Sequence, residues 1–97
     1  MEEIMAQVEF NRIEKGLYLG ESFDTSDRYI VWEIVDGVMD ITGTYVDKKY
    51  GGQGLGSKLV YAAGDIALEE GLKIKPTCPF AEVVLKRKDK YREHLVD

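Results

Sequence analysis

The hydrophobic period changes near the middle of the chain. Up to residue 46, apolar positions alternate with polar ones, which is the two-residue period of half-buried strands. Val8, Phe10 and Arg12 lie on one such run, and Glu14-Lys15-Gly16 reads as a turn. Leu17, Leu19 and Glu21 then alternate with Tyr18 and Gly20, until the polar run Asp24-Thr25-Ser26-Asp27 breaks the pattern. Tyr29 to Val35 and Val38 to Val46 are rich in β-branched and aromatic residues and are joined by Asp36-Gly37. A two-residue Asp-Gly link marks a type I′ hairpin, whose turn needs φ > 0 at both positions. The first half is therefore predicted to be a meander of about four strands.

From Leu55 onward the period lengthens. Leu55, Leu59, Ala63, Ile66 and Ala67 recur at spacings of three and four, with Lys58, Asp65, Glu69 and Glu70 off that face. This predicts an amphipathic helix ended by Gly71. Leu72 to Lys75 reads as a short strand. Pro79 suits the first turn of a second helix, capped by Thr77 or Cys78, with Ala81, Val84 and Leu85 on its buried face. Lys86, Arg87, Lys88 and Lys90 then put positive charge near its C-terminal end. The predicted order is β-β-β-β-α-β-α, an α+β fold with a mostly antiparallel sheet of about five strands. Trp32, Tyr29, Phe23 and Phe80 are most simply read as core.

The 97 residues are read as one domain, residues 1–97, without repeats or low-complexity segments. A chain of this length buries roughly 60–65% of its unfolded surface, enough for one modest core. A 44% hydrophobic and 32% charged composition fits a globular chain rather than a disordered one. The net charge of −5 argues against nucleic acid as a partner. The charge is uneven: residues 1–46 hold ten acids and three bases, residues 47–97 eight acids and ten bases. Chance and solvated faces produce such a split, and so does an anion site on the second half. One cysteine makes no internal disulfide, and no apolar run approaches the ~20 residues of a membrane span or opens the chain as a signal peptide. A cytoplasmic, reduced protein without membrane partner is expected. Cys78 and His94 are the only soft ligands, so no metal site is expected.

Between the predicted fourth strand and the first helix lies Gly51-Gly52-Gln53-Gly54-Leu55-Gly56, four glycines in six residues. Such a loop either merely turns the chain or lets main-chain N–H groups at a helix start meet an anion such as pyrophosphate. Lys48, Lys49 and Lys58 flank it. It is neither a Walker A loop, since no Gly-Lys-Ser/Thr closes it, nor a dinucleotide fingerprint, since the strand before it belongs to an antiparallel meander.

The run Gln53-Gly54-Leu55-Gly56-Ser57-Lys58-Leu59 resembles the acetyl-CoA loop of the GNAT superfamily of N-acetyltransferases. The segment from Glu70 to Phe80, which ends in Cys78-Pro79-Phe80, resembles a small GNAT-like family of roughly a hundred residues. The likeness runs from about Val8 to Tyr91. It implies that N–H groups of Gln53, Gly54, Leu55, Gly56 and Ser57, next to Gly51 and Gly52, cradle the pyrophosphate of acetyl-CoA. It also implies that Thr44, Tyr45 and Val46 form the strand beside the pantetheine arm, by the physics of strand addition. There are departures. Gly51 stands where the superfamily opens its motif with Gln or Arg, and Gly43-Thr44 where the small family often has His-Thr. Cys78 and Leu85 stand where the wider superfamily has Asn and a Tyr proposed to protonate the leaving thiolate. Only twelve residues follow Leu85, too few for the usual C-terminal strands.

Cys78, expected at a helix start beside the pantetheine end, is a candidate nucleophile that accepts acetyl and passes it to an amine. Alternatively it is a small buried hydrophobe. For direct transfer, Glu33, Asp40 and Glu82 are candidate bases and Tyr45 a candidate acid. His94 reads as surface. The expected function is acetyl transfer from acetyl-CoA to a primary amine, with the acidic first half favouring a cationic acceptor. The alternative is a CoA-binding module with little or no transferase activity. A sheet with exposed edges is compatible with a monomer or a homodimer.

Overall fold

A computed structural model describes residues 9–96; Val8, read above into the first strand, lies outside the described residues. Five strands form one sheet in the order β1-β2-β3-β4-β5: β1 Asn11–Ile13, β2 Gly16–Tyr18, β3 Arg28–Val35, β4 Val38–Val46 and β5 Lys73–Lys75. The first three pairings are antiparallel and β4–β5 is parallel. Helix α1 (Leu55–Glu69) makes the crossover that this parallel pair requires. Helix α2 (Pro79–Leu85) and a short α3 (Asp89–Arg92) follow β5.

The Asp36-Gly37 link behaves as its chemistry dictates. Both residues have positive φ, 54° and 78°, and Val35 pairs with Val38 across them. The polar run before β3 is likewise a loop, held by Ser26, whose Oγ donates to the carbonyls of Leu19 and Arg28 and accepts from Arg28 N–H. The first two strands are therefore shorter than the alternation predicts, three residues each.

The core lies between one face of the sheet and the helices. Leu17, Ile30, Trp32, Met39, Ile41 and Ile74 come from the strands, and Leu59, Val60, Ala63 and Ala67 from α1. Ala81, Val84 and Leu85 of α2 are buried, and Ile66 is partly so. Gly71, with φ 71°, follows α1, and the Leu72 N–H bonds back to Ala67 O, as in a glycine-ended helix.

Helix α2 stops at Leu85 with Lys86 as its C-cap, so the basic run Lys86, Arg87, Lys88 and Lys90 begins at its C-terminal end and leads into α3. Other expectations change. Tyr91, in that charged run, is fully buried against α1, with its hydroxyl 2.7 Å from Asp65 Oδ1. The segment around His94 also docks on β5: Ile74 N–H bonds His94 O, and Val96 N–H bonds Ile74 O, both at 2.8 Å. Of the aromatic set read as core, only Trp32 is deeply buried. Phe23 packs edge-on with Tyr18 and Tyr29, and Tyr29 at a tilt on Tyr45, on the far side of the sheet, and Phe80 is 42% exposed.

Candidate active site at the opening between β4 and β5

Strand β5 pairs with β4 only at Val38–Asp40. Beyond Asp40 the two diverge, and Cys78 N–H takes Ile41 O at 2.9 Å where the next ladder bond would fall. From Gly43 to Val46, β4 is paired on one side only, with β3. The sheet thus opens into a V with Cys78 at its apex.

A bulge decides which side chains face this opening. Trp32 pairs with Ile41 but Val31 with Gly43, so Thr42 is the extra residue. The alternation slips by one there. Met39 and Ile41 face the core, and after the bulge Thr44 and Val46 take the same side. Tyr45 is turned to the other face, where its ring packs on Tyr29 at 5.7 Å between centroids. Its hydroxyl is therefore not an acid in this opening, although its backbone stays on the strand.

Past β4, Asp47 caps a single 3-10 turn, Lys48–Tyr50, by accepting from Lys49 N–H at 3.0 Å. The turn is held to the body through Asp27, which meets Arg28 at 3.1 Å and Lys49 at 3.3 Å, while Arg28 lies 4.1 Å over the Tyr50 ring. Partial desolvation pushes the Asp27 carboxyl up, but hydrogen bonds from Lys49 and Arg28 outweigh it and hold it below the usual carboxylate range. The Lys49 ammonium is raised in turn, chiefly by its bond to Asp27. Lys49 is thus engaged with the scaffold, whereas Lys48 borders the groove below and, among the described residues, has no carboxylate partner.

The glycine loop follows. Gly54 is the N-cap of α1 at φ 71°, ψ 19°, a left-handed geometry costly for most side chains, and it supplies no side-chain cap. Among the described residues, no group accepts from the N–H groups of Gly52 to Ser57, and the first bond inward is Lys58 N–H to Gly54 O. These six main-chain donors lie at the positive end of a 15-residue helix, and all but that of buried Leu55 belong to exposed or half-exposed residues. A groove of about 340 Å³ runs past Val46, Lys48, Tyr50, Gly54 and Ser57. It meets a smaller one of about 170 Å³ lined by Thr44, Val46, Gly56 and Phe80. A larger cavity, about 410 Å³, shares none of these residues; it lies between Val35, Asp36, Val38, Asp40, Lys75 and Val96. The glycine loop is the stronger candidate despite its smaller volume, because unpartnered main-chain donors give an anion something to bind.

Cys78 is the N-cap of α2, 9% exposed, and its Sγ donates to Thr44 Oγ1 at 3.7 Å. Thr44 therefore links the buried thiol to the inner groove. Thr77 does not cap the helix; its hydroxyl bonds Asp40. The other candidates lie elsewhere: Glu33 is exposed and paired with Lys15, and Glu82 is exposed and paired with Lys86. Phe80 lines both grooves, a position that reading it as core misses; its place in Cys78-Pro79-Phe80 was the available signal. Among the described residues no three His, Cys, Asp or Glu side chains gather as a metal site, and no helix is long and apolar enough to cross a membrane.

The donor set suits a doubly anionic group, and the one-sided β4 suits an amide-bearing chain lying beside it. Comparison with known proteins bears on this geometry. A profile described as GCN5-related N-acetyl-transferase matches residues 23–95. The solution structure of a GCN5-like protein from Staphylococcus aureus superposes with a TM-score of 0.74 at 32% identity, covering 91% of this chain and 87% of that one. No curated protein gave a significant match. The profile spans the hairpin, the opened β4, the glycine loop and the Cys78 helix together, and on that match the chain belongs to the GCN5-related N-acetyltransferase family.

Proposed function

We propose that the chain binds acetyl-CoA along the joined grooves and transfers its acetyl group to a primary amine, with Cys78 as the relay. The observation that carries this reading is the opening itself. The free side of β4 runs from the unpartnered N–H groups at the start of α1 to the Thr44–Cys78 contact at the apex.

Acetyl-CoA, the co-substrate, would supply an activated thioester. The N–H groups of Gln53 to Ser57, beside Gly51 and Gly52, would hold its pyrophosphate, with Lys48 adding attraction. The Thr44–Val46 backbone would hold the amides of the pantetheine arm as an added strand. Cys78 Sγ then bonds to the acetyl carbon as the carbon–sulfur bond to CoA breaks, and the thiol proton leaves with CoA. The amine nitrogen attacks the acetyl carbon, the Sγ–carbon bond breaks, and the proton shed by nitrogen restores the Cys78 thiol. The acidic first half, with ten acids against three bases in residues 1–46, supports a cationic acceptor, such as a lysine or polyamine.

One observation favours the second reading, a CoA-binding module with little transfer activity. The inner groove is lined by Thr44, Val46, Gly56 and Phe80, none of which is a general acid or base near neutral pH. Acceptor-dependent release of CoA thiol across a panel of amines separates the two. Turnover supports the transferase, and tight CoA binding without turnover supports the module.

A further inference from the structure

Phe80 stands at a junction. It lies in the first turn of α2, whose core contacts are made by Ala81, Val84 and Leu85, and it leaves 42% of itself exposed. Its Cε2 and Cζ are 3.1 Å from the point a Cβ on Gly56 would occupy, and Val46 Cγ2 is 3.8 Å from the same point. The outer groove along the glycine loop and the inner groove at Thr44 share Val46, Gly56 and Phe80 as their common border. A ligand anchored at the loop and reaching Thr44 must pass this ring. A large aromatic kept half in water stabilises the fold little, and its apolar surface is available to whatever fills the passage.

We infer that Phe80 is the specificity-determining residue for the arm of the thioester: its ring is the apolar wall on which the pantetheine arm packs, and it offers no polar group to the nucleotide end. Gly56 is its counterpart, because a Cβ there would crowd the ring at 3.1 Å and force it to give by a few tenths of an ångström. This inference rests on the reading of the grooves as a CoA site and adds the residue that distinguishes the arm from the nucleotide.

Calorimetric titration of the wild-type chain and of Phe80→Ala, each with CoA and with 3′-phosphoadenosine 5′-diphosphate, tests it. The second probe is the same nucleotide without the arm. Phe80→Ala should weaken CoA about tenfold, the effect of uncovering a modest apolar contact, and leave the nucleotide affinity unchanged. Phe80→Leu should recover part of the loss. The ring is 42% exposed, and an unchanged circular dichroism spectrum shows that Phe80→Ala keeps its fold. Equal weakening of both probes, or no change in either, overturns the role of Phe80 while leaving the CoA site standing. A wild-type chain that binds neither probe overturns both.

Discussion

The Sγ of Cys78 and the hydroxyl of Thr44 meet at 3.7 Å, joining the start of α2 to the strand that borders the groove. If Cys78 relays the acetyl group, Cys78→Ala should abolish acceptor-dependent thiol release yet keep CoA affinity within about threefold, a shift well under 1 kcal/mol. Incubation of the wild-type chain with acetyl-CoA should yield an acetyl adduct on Cys78 by mass spectrometry. Full turnover in Cys78→Ala would assign the reaction to direct transfer instead.

The glycine loop makes a charge-specific prediction at Gly54, where φ is 71°. Asn tolerates the left-handed conformation and Asp nearly as well, so the two variants differ mainly in charge. A hundredfold excess of CoA over its Kd stabilises a binder by about 2.7 kcal/mol. For a domain this small that is a Tm rise of roughly 10–20 °C. Gly54→Asn should keep most of this rise. Gly54→Asp should lose it, because a carboxylate opposes the pyrophosphate.

The Asp27–Lys49 pair gives a pH signature with a definite sign. Asp27 is held below its ordinary value of 3.8, so its contribution is present above that pH and is lost as the pH falls through the folded value. Lys49 is raised above 10.5, so its contribution is full below that pH and is lost as the pH rises through the folded value. Thermal melts of wild type and Asp27→Asn should therefore differ between these limits and converge in acid. The gap should shrink in high salt, since Lys49 is largely exposed. A gap that persists unchanged at pH 2 would contradict the assignment.

Gly64 tests the packing of α1 on Tyr91. A Cβ at Gly64 would lie 2.8 Å from two ring carbons of Tyr91 and 3.2 Å from Leu85 Cδ2. Alanine is the better helix former by ~1 kcal/mol, but overpacking costs ~1–3 kcal/mol. Gly64→Ala should therefore lower the Tm by several degrees. A rise would show that Tyr91 can give way at no cost.

What could be read from the sequence follows from how local its cause is. Asp36-Gly37 specifies its hairpin because the φ > 0 requirement sits in two adjacent residues. The long helix is legible because Leu55, Leu59, Ala63 and Ala67 repeat its period. Tyr91 is a single buried aromatic among charges, so no period reveals α3 or the docking of the following residues on β5. The bulge at Thr42 leaves no mark in composition, yet it turns Tyr45 away and brings Thr44 and Val46 to the groove. Where β5 stops pairing with β4 is likewise a long-range fact, and with it the opening that Cys78 and Phe80 border. The loop of the candidate site was thus visible in sequence, while its walls depend on register.

The most direct measurement of the central claim is a titration of the isotope-labelled chain with CoA, followed at each backbone amide. The account predicts that the N–H resonances of Gly52 to Ser57 and of Thr44 to Val46 move together and saturate at one Kd, while those of Asp36 and Gly37 at the far hairpin stay still. Shifts confined to the Val35–Asp40 cavity, or no shift in the glycine loop at saturating CoA, would contradict it.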